Sequence, residues 1–245
     1  MQPVFEEIDF QQTPLGDISL RRRSEPRLDN IIIYEVKLNE EFLMSSLFTE
    51  AEIQLSVLAL KEVQSVFDAD EKLDIIVGGL GLGYTAAAVL ENTSVASLNV
   101  IDVMQSVIDW HQQELVPLGT NLINDKRCKL THANFYQLAE SKNTGFNSEQ
   151  PTQLAHAVLL DIDHSPEHLL NEQNAAFYTK AGLENLAGKI HSKGIFGLWS
   201  NDLPNQAFIE LLNSVFKSTQ AHIIKFPNPY TNEESANTVY LCNTH

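Results

Sequence analysis

The stretch Leu73-Asp-Ile-Ile-Val-Gly-Gly-Leu-Gly-Leu-Gly-Tyr-Thr-Ala-Ala-Ala-Val-Leu90 decides the fold. Leu73 to Val77 holds consecutive β-branched residues bounded by glycine, the mark of a buried strand. Gly79, Gly81 and Gly83 then allow a tight turn and a close backbone approach that a Cβ would obstruct. Thr85 to Leu90 is alanine-rich and continues as a helix. Strand, glycine turn and helix make the first unit of a nucleotide-binding α/β sheet. About nineteen residues beyond the turn, Leu98-Asn-Val-Ile-Asp102 is a second apolar run ending in an acid, placed to accept bonds from two ribose hydroxyls. The competing reading of the glycines is helix–strand packing alone.

The glycine spacing narrows the ligand. Where a dinucleotide fingerprint has its last Gly or Ala, this chain has Tyr84, whose ring would sit beside the pyrophosphate approach. NAD and FAD are therefore disfavoured. No Gly-Lys-Ser/Thr follows, so a Walker loop is absent. A nucleoside without phosphates, such as S-adenosylmethionine or a derivative, fits better.

On the N-terminal side, residues 1–45 read as a small β-domain and 46–245 as the nucleoside-binding α/β domain. Phe5–Phe10, Asp17–Arg23 and Ile31–Lys37 are its strands, with Thr13-Pro-Leu-Gly16 as a turn and Arg21 to Arg23 on a solvated face. Thr49-Glu-Ala-Glu52 has the form of a capping box, opening a helix with Ile53, Val57, Leu60 and Phe67 on one face.

On the C-terminal side, Gln105–Val116 reads as a crossover helix in which His111 is a satisfied helix histidine. Arg127–His132 is a third strand. Asn134 follows at its carboxyl end, placed to meet a base edge or to cap a helix, and Phe135 to stack on a base. Residues 141–152 read as a surface loop. His156–Asp161 is a fourth strand leading into Ile162-Asp163-His164-Ser165-Pro166. Asp161, Asp163 and His164 are the catalytic candidates, since acids this close drive each other's proton affinities apart. Phe177–Ile190 is helical, Lys193-Gly194 a turn, Ile195–Trp199 the fifth strand and Asn205–Phe216 a helix. Ala221–Phe226 and Thr238–Cys242 close a mixed sheet as an antiparallel hairpin.

The whole chain sets bounds. Its 245 residues suffice for one α/β domain and a small appendage. A formal charge of −16 argues against nucleic acid and suits cationic small molecules. The opening residues show no signal-peptide pattern, and no apolar run reaches membrane-spanning length. Cys128 and Cys242 have no metal spacing and imply no disulfide framework, so a reducing cytoplasm is expected and no metal.

On Val77-Gly-Gly-Leu-Gly-Leu-Gly-Tyr84, Ile101-Asp-Val-Met-Gln-Ser-Val-Ile108 and Leu159-Leu-Asp-Ile-Asp-His-Ser-Pro166, the chain resembles the spermidine synthase-like branch of class I S-adenosylmethionine-dependent transferases. The resemblance implies a seven-stranded methyltransferase-like sheet behind a small N-terminal β-domain, often dimeric. It implies that Asp102 holds the ribose, that Asn134 stands where an Asp meets the adenine amine, and that Asp161 assists deprotonation of the attacking amine. The expected activity is alkyl (aminopropyl) transfer from S-adenosylmethionine or its decarboxylated form to a cationic amine. A methyltransferase on the same fold is the first alternative, and a non-catalytic nucleoside-binding protein the second. The chain departs from the family at Leu80 and Leu82, where an Asp-rich glycine loop is usual, and at His164, where a second Asp falls. Phe48-Thr49-Glu50 lies in the region of the family's Tyr-His-Glu.

Overall fold

A computed structural model describes residues 3–39, 41–142 and 144–245. The first two positions of the N-terminal segment, residue 40 and one position of the 141–152 loop lie outside the described residues. Strands β1 (Phe5–Thr13), β2 (Gly16–Glu25), β3 (Ile31–Leu38) and β4 (Glu41–Ser45) form an antiparallel sheet in sequence order. The short β4 was not anticipated; it pairs back on β3 from Leu38↔Glu41 to Glu35↔Ser45. There follow α1 (Glu50–Val66), β5 (Leu73–Gly78), α2 (Tyr84–Leu90), β6 (Val95–Asp102), α3 (Gln105–Gln112), α4 (Gly119–Asn124), β7 (Cys128–His132), α5 (Phe135–Glu140), β8 (Ala155–Leu160), α6 (Lys180–Ala187), β9 (Ile190–Ser200), α7 (Gln206–Asn213), β10 (Ser218–Asn228) and β11 (Glu233–Asn243).

The second sheet has the order β10-β11-β9-β8-β5-β6-β7. Strands β5 to β9 run parallel, whereas β11 is antiparallel to both neighbours. This is the expected seven-stranded mixed sheet, and the final pair is the expected hairpin. Period-two alternation fills both faces. Leu73, Ile75 and Val77 enter a core shared with α1, α2, α3 and the N-terminal sheet, which contributes Ile18, Leu20, Val36 and Leu38. Ile76, Val158, Leu160 and Phe196 enter the opposite core under α5, α6 and α7. The N-terminal sheet is also tied to α3 by Trp110 Nε1, which donates to Asp9 at 2.6 Å.

Some expected elements differ. The capping box does not form: Thr49 makes no side-chain cap bond, and Glu52 turns inward instead of reaching back. The buried face of α1 is Ala51, Glu52, Leu55, Ser56, Ala59, Leu60 and Val63, while Val57 is exposed. Helix α3 stops at Gln112 because Glu114 takes a left-handed φ of 58°, and α4 adds a turn of helix. The segment expected as one helix over 177–190 yields only α6, since Ile190 already belongs to β9. Lys193-Gly194 is no turn: Lys193 has φ 67° inside β9, where the ladder to β8 skips from Ala155↔Ile190 to Ala157↔Ile195. Within the 141–152 loop, Phe146 is buried.

Candidate active site

Five loops at the carboxyl ends of β5 to β9 converge where neighbours β6 and β8 flank β5, the crevice expected for an open sheet. The glycine turn is shaped first by protein contacts. Gly79, Gly81 and Gly83 have φ of 95°, 46° and 91°, in the region that L side chains avoid. A Cβ on Gly79 would lie 2.0 Å from the Asp161 carbonyl oxygen, and on Gly81 2.5 Å from Met44 Sδ. One on Gly83 would meet Leu122 and His111. Packing therefore accounts for all three glycines, and Gly79 is what lets the ends of β5 and β8 touch. His111, expected as a satisfied helix histidine, is only half satisfied: its Nε2 meets the Gly81 carbonyl at 2.9 Å, its buried Nδ1 has no partner among the described residues, and burial lowers its proton affinity.

Asp102 stands at one end of the cavity. Its Oδ2 accepts from Leu80 N at 2.9 Å and its Oδ1 from Met104 N at 2.7 Å. Burial raises its proton affinity against the pull of those amides. The Gly81 amide adds to that pull, and the carboxylate still has acceptor capacity for hydroxyl groups such as those of a ribose. Asn134 caps α5, with Oδ1 accepting from Gln137 N at 3.1 Å, and it also lines the cavity. Its amide nitrogen makes no bond among the described residues, so the cap and a base contact are compatible. Phe135 differs from the expected platform. Its ring is 2% exposed and stacks on Phe146 at 5.2 Å, flooring the cavity from within the core because Gly78 gives it room.

Asp161 stands at the other end, with N donating to Gly78 O at 2.8 Å and Oδ2 accepting from Thr85 Oγ1 at 2.6 Å. Asp163 does not join it. Asp163 is buried, accepts from the hydroxyls of Tyr136 and Tyr178 and from Leu170 N, and does not line the cavity. It fastens the loop after β8, a correction to its reading as a catalytic acid. The acid that feels the charge of Asp161 is Glu52, which the motif reading missed. Glu52 is pushed up to about 8 by burial and by Asp161, and burial raises Asp161 to about 6. His164 does line the cavity, and its carbonyl accepts from Asn201 N at 2.7 Å. Asp202, just beyond β9, meets His168 at 3.3 Å and does not line the cavity.

Together these groups enclose a cavity of about 880 Å³, ample for a nucleoside and a small acceptor. The N-terminal sheet and the β10–β11 tip form its far wall. There Arg23 donates to Glu25, Glu35 and Tyr230, and Tyr230 donates to Glu25 at 3.0 Å. Arg23 is thus no solvated residue. Arg23 is the only Lys or Arg among the described lining residues, against the acids Glu35, Glu52, Asp102 and Asp161. Among the described residues no His, Cys, Asp and Glu cluster could hold a metal ion, and no helix is long and apolar enough to cross a membrane.

No family model matches the chain. Polyamine aminopropyltransferase 2 of Pseudomonas aeruginosa is 23% identical over 206 residues, covering 82% of this chain and 53% of that protein. The chain thus spans about half the length of this curated relative. A spermidine synthase solved in complex with the transition-state analogue AdoDATO superposes with a TM-score of 0.71 at 14% identity, over 98% of this chain and 74% of that one. Spermidine synthase from Thermotoga maritima gives 0.70 at 15%, over 98% and 73%. A probable spermidine synthase from Corynebacterium glutamicum gives 0.64 at 13%, over 99% and 81%. The chain has a spermidine synthase-like structure and is a distant sequence relative of a polyamine aminopropyltransferase.

Proposed function

We propose that the protein transfers an aminopropyl group from decarboxylated S-adenosylmethionine to a small cationic amine. The observation that carries this reading is the charge of the cavity. Four acids line it, and the single Arg is already bonded to Glu25 and Glu35. A wall of this kind favours the positively charged sulfonium and an ammonium acceptor. It offers no free cation, among the described residues, to the carboxylate of intact S-adenosylmethionine. The same charge supports aminopropyl over methyl transfer.

In this reading Asp102 holds the ribose, Asn134 meets the base, and Gly79 brings the turn against Asp161. The bound sulfonium supplies an activated carbon and a good leaving group. Asp161 orients the acceptor nitrogen and takes its proton, since an aliphatic ammonium with a pKa of about 10 cannot attack until it is deprotonated. Holding nitrogen, carbon and sulfur in line supplies much of the remaining acceleration.

Calorimetric titration with decarboxylated and intact S-adenosylmethionine tests the co-substrate, followed by a diamine and polyamine panel for turnover. Tighter binding of the decarboxylated form is expected. Asp161→Asn should lower kcat by about 100-fold or more with co-substrate Kd nearly unchanged. Tighter binding of the intact form, with methyl transfer to an acceptor, would replace this reading. Binding of neither would leave a nucleoside fold without this activity.

A further inference from the structure

Glu52 lies in none of the motifs that carry the resemblance. Of the four acids on the cavity wall it alone, among the described residues, has no carboxyl partner outside its own residue. Glu35 is paired with Arg23, Asp102 with backbone amides, and Asp161 with Thr85. Among the described residues Glu52 has only its own backbone amide, although it is 8% exposed. The charged and titratable groups facing it are Asp161 from the end of β8, Tyr84 from the start of α2 and Glu50 on its own helix. None is a cation. Buried carboxyls are ordinarily paired, so an unpaired one beside a second acid in a ligand cavity marks a place for a proton or a cation.

The surroundings hold this arrangement in place. The stripe Ala51, Leu55, Ala59 and Val63 anchors α1 in the core and turns Glu52 inward. Thr85 is buried, donates to Asp161 Oδ2 at 2.6 Å, and lies 3.4 Å from the Glu52 carbonyl oxygen. Ser56 in turn donates to the Thr85 carbonyl at 2.7 Å. The first turns of α1 and α2 and the end of β8 are fastened at one point.

We propose that Glu52 is the second member of the base, so that the acceptor's proton passes to a carboxyl pair and not to Asp161 alone. This rests on the amine-transfer reading above. The arriving ammonium displaces the proton shared by the pair, which leaves to solvent, and both carboxylates then face one cation. The ammonium's own proton passes to the pair. The freed nitrogen lone pair forms the C–N bond, and the C–S bond breaks with its electrons going to sulfur. The products are a neutral thioether and a secondary ammonium, and the proton left on the pair refills it for the next turnover. Two carboxylates in one desolvated wall bind a proton more tightly than one, so the pair is the stronger base.

The test compares wild type, Glu52→Gln and Asp161→Asn by two readouts. In the pH profile of kcat/KM, Glu52→Gln should move the acid limb down by about one pH unit or more, with kcat falling about tenfold or more. Glu52→Asp, which keeps the acid, should recover part of the shift. A raised KM with an unmoved limb would mean that Glu52 only shapes the pocket, and would overturn the proposal. The second readout is carboxyl 13C NMR of the ligand-free protein and needs no turnover. Asp161→Asn should lower the pH at which Glu52 titrates; an unchanged Glu52 titration refutes the pair whatever the activity. Should wild type use no amine while the coupling is seen, the transfer reading falls and the base role falls with it, leaving the pair as a cation site.

Discussion

Replacing Glu52 by Gln should stabilise the protein at alkaline pH and leave it unchanged in mild acid. Burial and the neighbouring Asp161 raise the Glu52 carboxyl from an ordinary 4.5 to about 8. Below the lower value the folded and unfolded chains both hold the proton, so there is no effect. Above it the unfolded chain loses the proton while the folded chain keeps it, so stability falls as pH rises and levels off past about 8. One proton over that window corresponds to about 1.4 kcal/mol per pH unit, a ceiling on the order of 5 kcal/mol. Relaxation of the cavity wall and the share belonging to Asp161 reduce what Gln recovers to about 2–4 kcal/mol. Urea denaturation at about pH 4.5, 6.5 and 8.5 measures it, and Tm at the highest pH should rise by about 5–15 °C in a chain of this size. A difference between variant and wild type that does not grow with pH would refute the reasoning, because a packing effect does not titrate. The expected trade of activity for stability is the usual sign of an acid retained for its chemistry.

Two further substitutions separate packing from ligand contact. Gly79→Ala should cost on the order of 3 kcal/mol or more, since its Cβ meets a backbone oxygen at a left-handed φ, whereas Gly81→Ala meets only the flexible Met44 side chain and should cost about 1–2 kcal/mol. Equal urea midpoints for the pair would contradict that account. Asp163→Asn places an amide opposite two tyrosine hydroxyls and a backbone N–H, so it should cost about 3 kcal/mol and release the Leu170 amide to exchange; unchanged protection of that amide would show the loop is held by something else.

Much of the fold was legible because its signals are local. The run from Leu73 through Leu90 carries strand, turn and helix in chain order, and the acid-terminated strands put Asp102 and Asp161 at one sheet edge. The weaker readings failed where tertiary contact decides. Asp163 reads like Asp161 in sequence, two residues away at the same edge, but its side chain turns into Tyr136 and Tyr178, whose positions come from α5 and the approach to α6. Phe135 is aromatic at a ligand edge, yet Phe146, from an otherwise polar loop, claims its face. Glu52 did leave a signal. It sits in register with Leu55, Ser56, Ala59 and Val63, an acid inside an apolar stripe, and the capping-box pattern offered a ready but different explanation.

That misreading bears on how the cavity keeps its charge. The chain lacks the Asp-rich glycine loop, with Leu80 and Leu82 in its place, and has His164 where a second Asp falls in the family it resembles. Both leucines are buried in the core, so those positions have become packing. The negative wall is nevertheless present, because Glu52 enters from α1 and Glu35 from β3. An electric field depends on where charges sit and not on which segment carries them, so a cavity can keep its preference for cations while the motif that usually supplies it is lost. Arg23 does not cancel this preference: two buried acids hold it, leaving the far wall acidic on balance. Loss of the motif acids is therefore weak evidence for loss of an amine site, and charge reversal at Glu35 or Glu52 is the perturbation to which cation binding should respond most.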